Sequence, residues 1–78
     1  MMKKLFMVNI TGRRIRAYRI KQNLSRKELC RQLLARGIHL SRVTLFLIEL
    51  QMVEIYDLEL YAISMVLKVP VDMLFPDR

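Results

Sequence analysis

The chemistry-bearing side chains of this chain are overwhelmingly cationic, and they are crowded into its first half. Arg13, Arg14, Arg16, Arg19, Lys21, Arg26, Lys27, Arg31, Arg36 and Arg42 follow one another with Glu28 as the sole acid among them. Residues 1–42 hold 12 Lys and Arg against that one acid, a local charge of +11; residues 43–78 hold 2 against six acids, −4, which together make the formal +7. A half-domain so charged carries a strongly positive potential, and its natural ligand is a polyanion. Groups that could do covalent or acid–base chemistry are scarce. His39 and Cys30 are single, the carboxylates are scattered over the second half, and neither a Gly-rich phosphate loop nor a Ser/His/Asp grouping occurs. The sequence therefore reads as a non-enzyme. His39 is expected on a turn surface, and Cys30 as a small buried hydrophobe with its thiol reduced.

Four helices and a further short turn are expected to position these groups. The first runs from about Ile10 to Gln22, with Ile15 and Tyr18 on one side; Asn23 ends it, because Asn tolerates the left-handed conformation. Ser25-Arg26-Lys27-Glu28 has the form of a capping box, Ser25 taking the orphan amides and Glu28 reaching back. Leu29, Cys30, Leu33 and Leu34 then recur at helical spacing up to Gly37, a C-cap residue. Ser41 opens a third helix to about Leu50, with Leu45 and Ile48 inward. Gln51 to Tyr56 reads as an extended loop. Asp57 starts a fourth helix with Leu60, Ile63 and Leu67 inward; Pro70 stops it, and Val71 to Phe75 make one more turn. The fold class is all-α.

At 78 residues and 54% apolar side chains, the chain makes one small domain and is too hydrophobic for disorder. One Cys and one His exclude an internal disulfide and a structural zinc site, so no cofactor or metal is expected. The longest charge-free stretch of the second half, Leu60 to Leu67, is far below the ~20 residues of a membrane span. Lys3-Lys4 followed by Leu5-Phe6-Met7-Val8 imitates the start of a signal peptide, but Asn9 and Arg13-Arg14 follow too soon. Residues 1–9 read as a short arm or strand covering part of a domain at 10–75, with 76–78 as a tail. The expected setting is cytoplasmic.

Ile15-Arg16, Arg19, Leu24-Ser25-Arg26, Leu29-Cys30, Leu33, Leu40-Ser41-Arg42, Leu45, Ile48-Glu49, Leu60, Ile63, Leu67 and Leu74-Phe75 fall in a recurring order. That order resembles the phage-repressor and Cro-like helix-turn-helix (XRE) family over about residues 10–75. The resemblance implies a lambda-repressor-like bundle of five helices whose third helix enters the DNA major groove. It also implies an ion pair between Arg19 and Glu49. By the same resemblance Ser25, Arg26 and Lys27 sit on the phosphate backbone, and Arg42 is the foremost base reader, with Ser41 and Thr44 donating to phosphate or base.

The chain departs from the family in two places. The connection through Arg36-Gly37-Ile38-His39-Leu40 is longer than in phage repressors. On the third helix, Val43 and Leu47 stand at base-reading positions and Phe46 and Leu50 at exposed ones, all four apolar where polar residues are usual. Val43 and Leu47 keep only contact with thymine methyls. Phe46, Leu47, Leu50 and Met52, with Tyr56, Tyr61 and Met65, exceed what so small a core can bury and imply a partner surface. The expected function is sequence-specific binding of double-stranded DNA by a homodimeric transcriptional regulator. The alternative is a protein-interaction module, a repressor antagonist or antitoxin-like protein with an apolar recognition helix. A membrane-surface role is disfavoured, since Arg13 to Lys21 has no wide apolar face.

Overall fold

The computed structural model describes residues 7–77, so the first six residues of the expected arm and Arg78 lie outside the described residues. Four α-helices follow in order, α1 Gly12–Lys21, α2 Arg26–Ala35, α3 Arg42–Glu49 and α4 Asp57–Leu67, with a 3₁₀ turn at Val71–Leu74. The fold is all-α, as expected. The fifth element is this single 3₁₀ turn instead of the fifth helix that the resemblance implied.

Helix starts follow the hydroxyl caps. Ser25 Oγ accepts the Glu28 amide at 3.0 Å, and Ser41 Oγ accepts the Thr44 amide at 3.1 Å. The Ser25 capping box is only half formed. The Glu28 carboxylate does not return to Ser25; it accepts from Arg31 Nη2 at 2.6 Å and Gln32 Nε2 at 2.9 Å, charged and amide donors one turn along its own helix. The reciprocal bond appears instead at α4, where the Tyr56 amide donates to Glu59 Oε1 at 3.0 Å.

All four helices end on a left-handed residue: Asn23 (φ 60°), Gly37 (φ 85°), Gln51 (φ 65°) and Lys68 (φ 60°). Each lets the following amide fold back onto the helix, as Leu24 does to Arg19, Ile38 to Leu33, Met52 to Leu47 and Val69 to Ser64. Gln51 therefore begins its segment with a helix-closing turn, and the extended loop expected from Gln51 onward starts one residue later.

The first helix starts at Gly12, two residues after the expected position, because Asn9 and Thr11 are used for packing. Asn9 Oδ1 accepts the amides of Thr11 and Gly12, and its Nδ2 donates to the carbonyls of Ile48 (3.1 Å) and Val53 (2.8 Å). Asn9 is thus part of the helical domain, and the arm ends before it. A Cβ on Gly12 would fall on the Ile48 carbonyl oxygen, so glycine is what allows α1 to approach the end of α3.

Ile15, Leu29, Leu33, Leu45, Ile48, Ile63, Leu67 and Leu74 are wholly buried, so every element contributes to one core. Ala62, Ser64 and Val66 widen the buried side of α4 beyond the expected Ile63 and Leu67, while Leu60 is only half-buried. In the α2–α3 connection Ile38 and Leu40 turn inward and Arg36 and His39 outward, which is how the longer turn is accommodated.

Candidate nucleic-acid interface

The starts of α2 and α3 lie side by side. A shallow groove of ≈ 440 Å³ between them is lined by Ser25, Arg26, Lys27, Arg42, Val43 and Phe46. Five of these six are among the sequence-expected contact residues, and no carboxylate lines the groove. Residues from both helix starts line this groove, so the positive ends of two helix dipoles add to the potential of the side chains.

The ion pair implied by the resemblance is present in the structure. Arg19 Nε donates to Glu49 Oε2 at 2.7 Å and Nη2 to Oε1 at 3.1 Å, with side chains 8% and 0% exposed. Arg19 Nη1 donates to the Leu24 carbonyl at 2.7 Å, so all three guanidinium nitrogens are spent inside the protein. Arg26, expected only as a phosphate contact, is joined to the same carboxylate: its Nε donates to Glu49 Oε1 at 3.0 Å. Its guanidinium carbon lies 4.9 Å from the Phe46 ring centroid. Sequence reasoning missed this contact; its only trace is the spacing of Phe46 and Glu49, one turn apart on α3.

The other expected residues are distributed as follows. Lys27, Arg42 and Val43 are exposed beside the groove. Ser41 Oγ donates to Thr44 Oγ1 at 3.0 Å, so its hydroxyl hydrogen is used internally and Thr44 keeps the one free to donate outward. Thr44 is half-buried and away from the groove lining. Leu47, expected on the exposed reading face, is likewise half-buried, and its carbonyl accepts the Met52 amide in the turn that closes α3. The exposed apolar residues of α3 and its C-cap are Val43, Phe46 and Leu50, spaced three and four apart, with Met52 just beyond.

A second groove, ≈ 530 Å³, lies between α1 and the far end of α3; Arg13, Arg16, Arg26, Phe46 and Leu50 line it together with Glu49. Arg13 is held there by the buried Gln51, whose Oε1 accepts from Arg13 Nε at 3.2 Å while its Nε2 donates to the Asn9 carbonyl at 3.2 Å. Of the described cations, Arg13, Arg16, Lys21, Lys27, Arg36, Arg42 and Lys68 face no carboxylate within ion-pair distance. The basic half is therefore not cancelled by the acidic half.

His39 is exposed. Cys30 is buried, and burial pushes its thiol above the ordinary range, which agrees with a packing role. Among the described residues no group of three His, Cys, Asp or Glu side chains is placed to hold a metal ion, and no helix is long and apolar enough to cross a membrane. The chain matches no family model, no curated protein and no solved structure.

Proposed function

We propose that this chain is a sequence-specific, double-stranded-DNA-binding transcriptional regulator of the Cro/repressor type, acting as a homodimer in the cytoplasm. The supporting observation is the carboxylate-free groove that brings Ser25, Arg26, Lys27, Arg42 and Val43 together at two helix starts. Phosphate neutralisation supplies affinity, and Arg42 at the first position of α3 supplies a bidentate fork for guanine O6 and N7. Val43, 68% exposed beside it, offers an apolar contact for a thymine methyl.

Binding of the purified protein to mixed-sequence duplex DNA at two salt concentrations, with the solution mass taken on the same sample, tests this reading. Affinity should fall with salt by a log–log slope of about −0.9 per phosphate contacted. Arg42→Ala should weaken binding to a selected site more than binding to random duplex. Salt-insensitive binding, or an Arg42→Ala variant equal to wild type on both, rejects it.

The exposed Val43, Phe46 and Leu50 favour the second reading, a protein-interaction module gripping its partner through α3. Leu50→Glu separates the two. Leu50 lines the second groove and Arg42 does not, so the variant should abolish capture of a protein partner while leaving the contribution of Arg42 to DNA binding intact.

A further inference from the structure

Building on the duplex reading above, we propose that Phe46 is a positioning residue for Arg26. Its ring, together with the Glu49 carboxylate, holds the Arg26 guanidinium so that the Nη edge is presented as a fork for a DNA backbone phosphate.

Glu49 binds two guanidinium groups and treats them differently. Arg19 spends Nε, Nη1 and Nη2 on protein acceptors. Arg26 spends only Nε, and the N–H groups of its two Nη nitrogens meet no acceptor among the described residues. The trio carries a net single positive charge, and the more exposed member is Arg26, whose side chain is 31% exposed against 8% for Arg19. The unspent charge and the unspent donors therefore coincide on one side chain.

That side chain is held at two points, by the carboxylate at Nε (3.0 Å) and by the Phe46 ring, over which its guanidinium carbon lies (4.9 Å to the centroid). A flexible arginine loses side-chain freedom when it grips an anion; one already held in place loses less. Two parallel N–H groups in a planar fork match the oxygens of a phosphate. Lys27 and Arg42 line one groove with Arg26 and Phe46, and Arg13 and Arg16 line the other, so Arg26 stands among further cations that would attract the same phosphate backbone. This accounts for an exposed aromatic residue on α3 where a polar one is usual: Phe46 acts on the ligand through Arg26.

The test is a titration of fluorescent mixed-sequence duplex over a salt series with wild type, Phe46→Leu, Phe46→Tyr, Arg26→Ala and the Arg26→Ala/Phe46→Leu double variant, each checked by thermal melting. Phe46→Leu keeps apolar bulk but loses the ring, and should weaken binding about two- to fivefold. It should also reduce the salt slope by up to about 0.9, the share of one phosphate. Phe46→Tyr should restore both quantities, and Phe46→Leu should cost nothing further once Arg26 is alanine. The proposal is overturned if Phe46→Leu matches wild type, if Phe46→Tyr behaves like Phe46→Leu, or if the cost of Phe46→Leu is undiminished in the Arg26→Ala background. Wild-type protein that fails to bind duplex at low salt removes the duplex reading itself, and this inference with it.

Discussion

Arg19 on α1 and Glu49 at the end of α3 form a bidentate ion pair, at 2.7 and 3.1 Å, in which the carboxylate is wholly buried and also receives Arg26. The pair ties α1 to the end of the helix that carries the candidate reading face, and it joins the core to the groove. Glu49→Ala leaves one buried cation without its counter-charge and should cost about 3–5 kcal/mol of unfolding free energy. The Arg19→Met/Glu49→Leu double variant should be less destabilised than Glu49→Ala, because the buried Arg19 cation is gone and the only charge left without its carboxylate is Arg26, whose side chain is 31% exposed and reaches water. Urea denaturation of both variants checks this; a double variant weaker than the single one would contradict it.

Asn9 makes four side-chain hydrogen bonds that close the start of α1 against the end of α3. Asn9→Ala strips buried amides and carbonyls of their partners, and a loss of about 2–4 kcal/mol follows from the desolvation of groups left unpaired. Asn9→Asp keeps the acceptor for the two amides but replaces the donating Nδ2 with a carboxylate oxygen set against the Ile48 and Val53 carbonyl oxygens, and should fare no better near neutral pH. Chemical denaturation midpoints measure both variants.

Gly12 is required by proximity, since a Cβ there collides with the Ile48 carbonyl. Gly12→Ala improves intrinsic helix propensity yet should destabilise by about 1–3 kcal/mol, the cost of overpacking. Exposed Ala17 on the same helix provides the control: Ala17→Gly should lose only about 0.5–1 kcal/mol. A Gly12→Ala variant as stable as wild type would show that the two helices can separate without loss.

Hydrogen bonds from Arg31 and then Gln32 lower the Glu28 carboxyl from its ordinary 4.5 to about 2. The folded chain therefore binds this proton less readily than the unfolded chain does. Its stabilising contribution is complete above the unfolded value and is lost as the pH falls toward the folded one. Between those two values the stability of wild type should decline more steeply with acid than that of Glu28→Gln, which cannot titrate. Parallel acid limbs in thermal melts of the two proteins would contradict this account.

Much of the scaffold was legible in the sequence because its signals are local. Ser25 and Ser41 announce helix starts through a hydroxyl two or three residues from an orphan amide, and Asn23 and Gly37 announce ends through their tolerance of positive φ. Leu29, Leu33, Leu45, Ile48, Ile63 and Leu67 repeat at helical spacing, and all are buried. The arrangement of charge, +11 against −4, needs no folding to be counted.

Tertiary structure decided whatever depends on contacts distant in sequence. Gln51 adopts a left-handed backbone without being glycine, held by Asn9 and Arg13 some forty residues earlier. Gly12 is read correctly only once the Ile48 carbonyl stands beside it. Glu28 turned to Arg31 instead of completing its capping box, a choice between two local partners that propensity cannot rank. Leu47 and Phe46 are neighbours of like chemistry, yet the first is half-buried and the second is exposed with the Arg26 guanidinium carbon over its ring. Composition and periodicity state which residues are apolar or charged; only packing decides which of those charges and surfaces remain unspent for a partner.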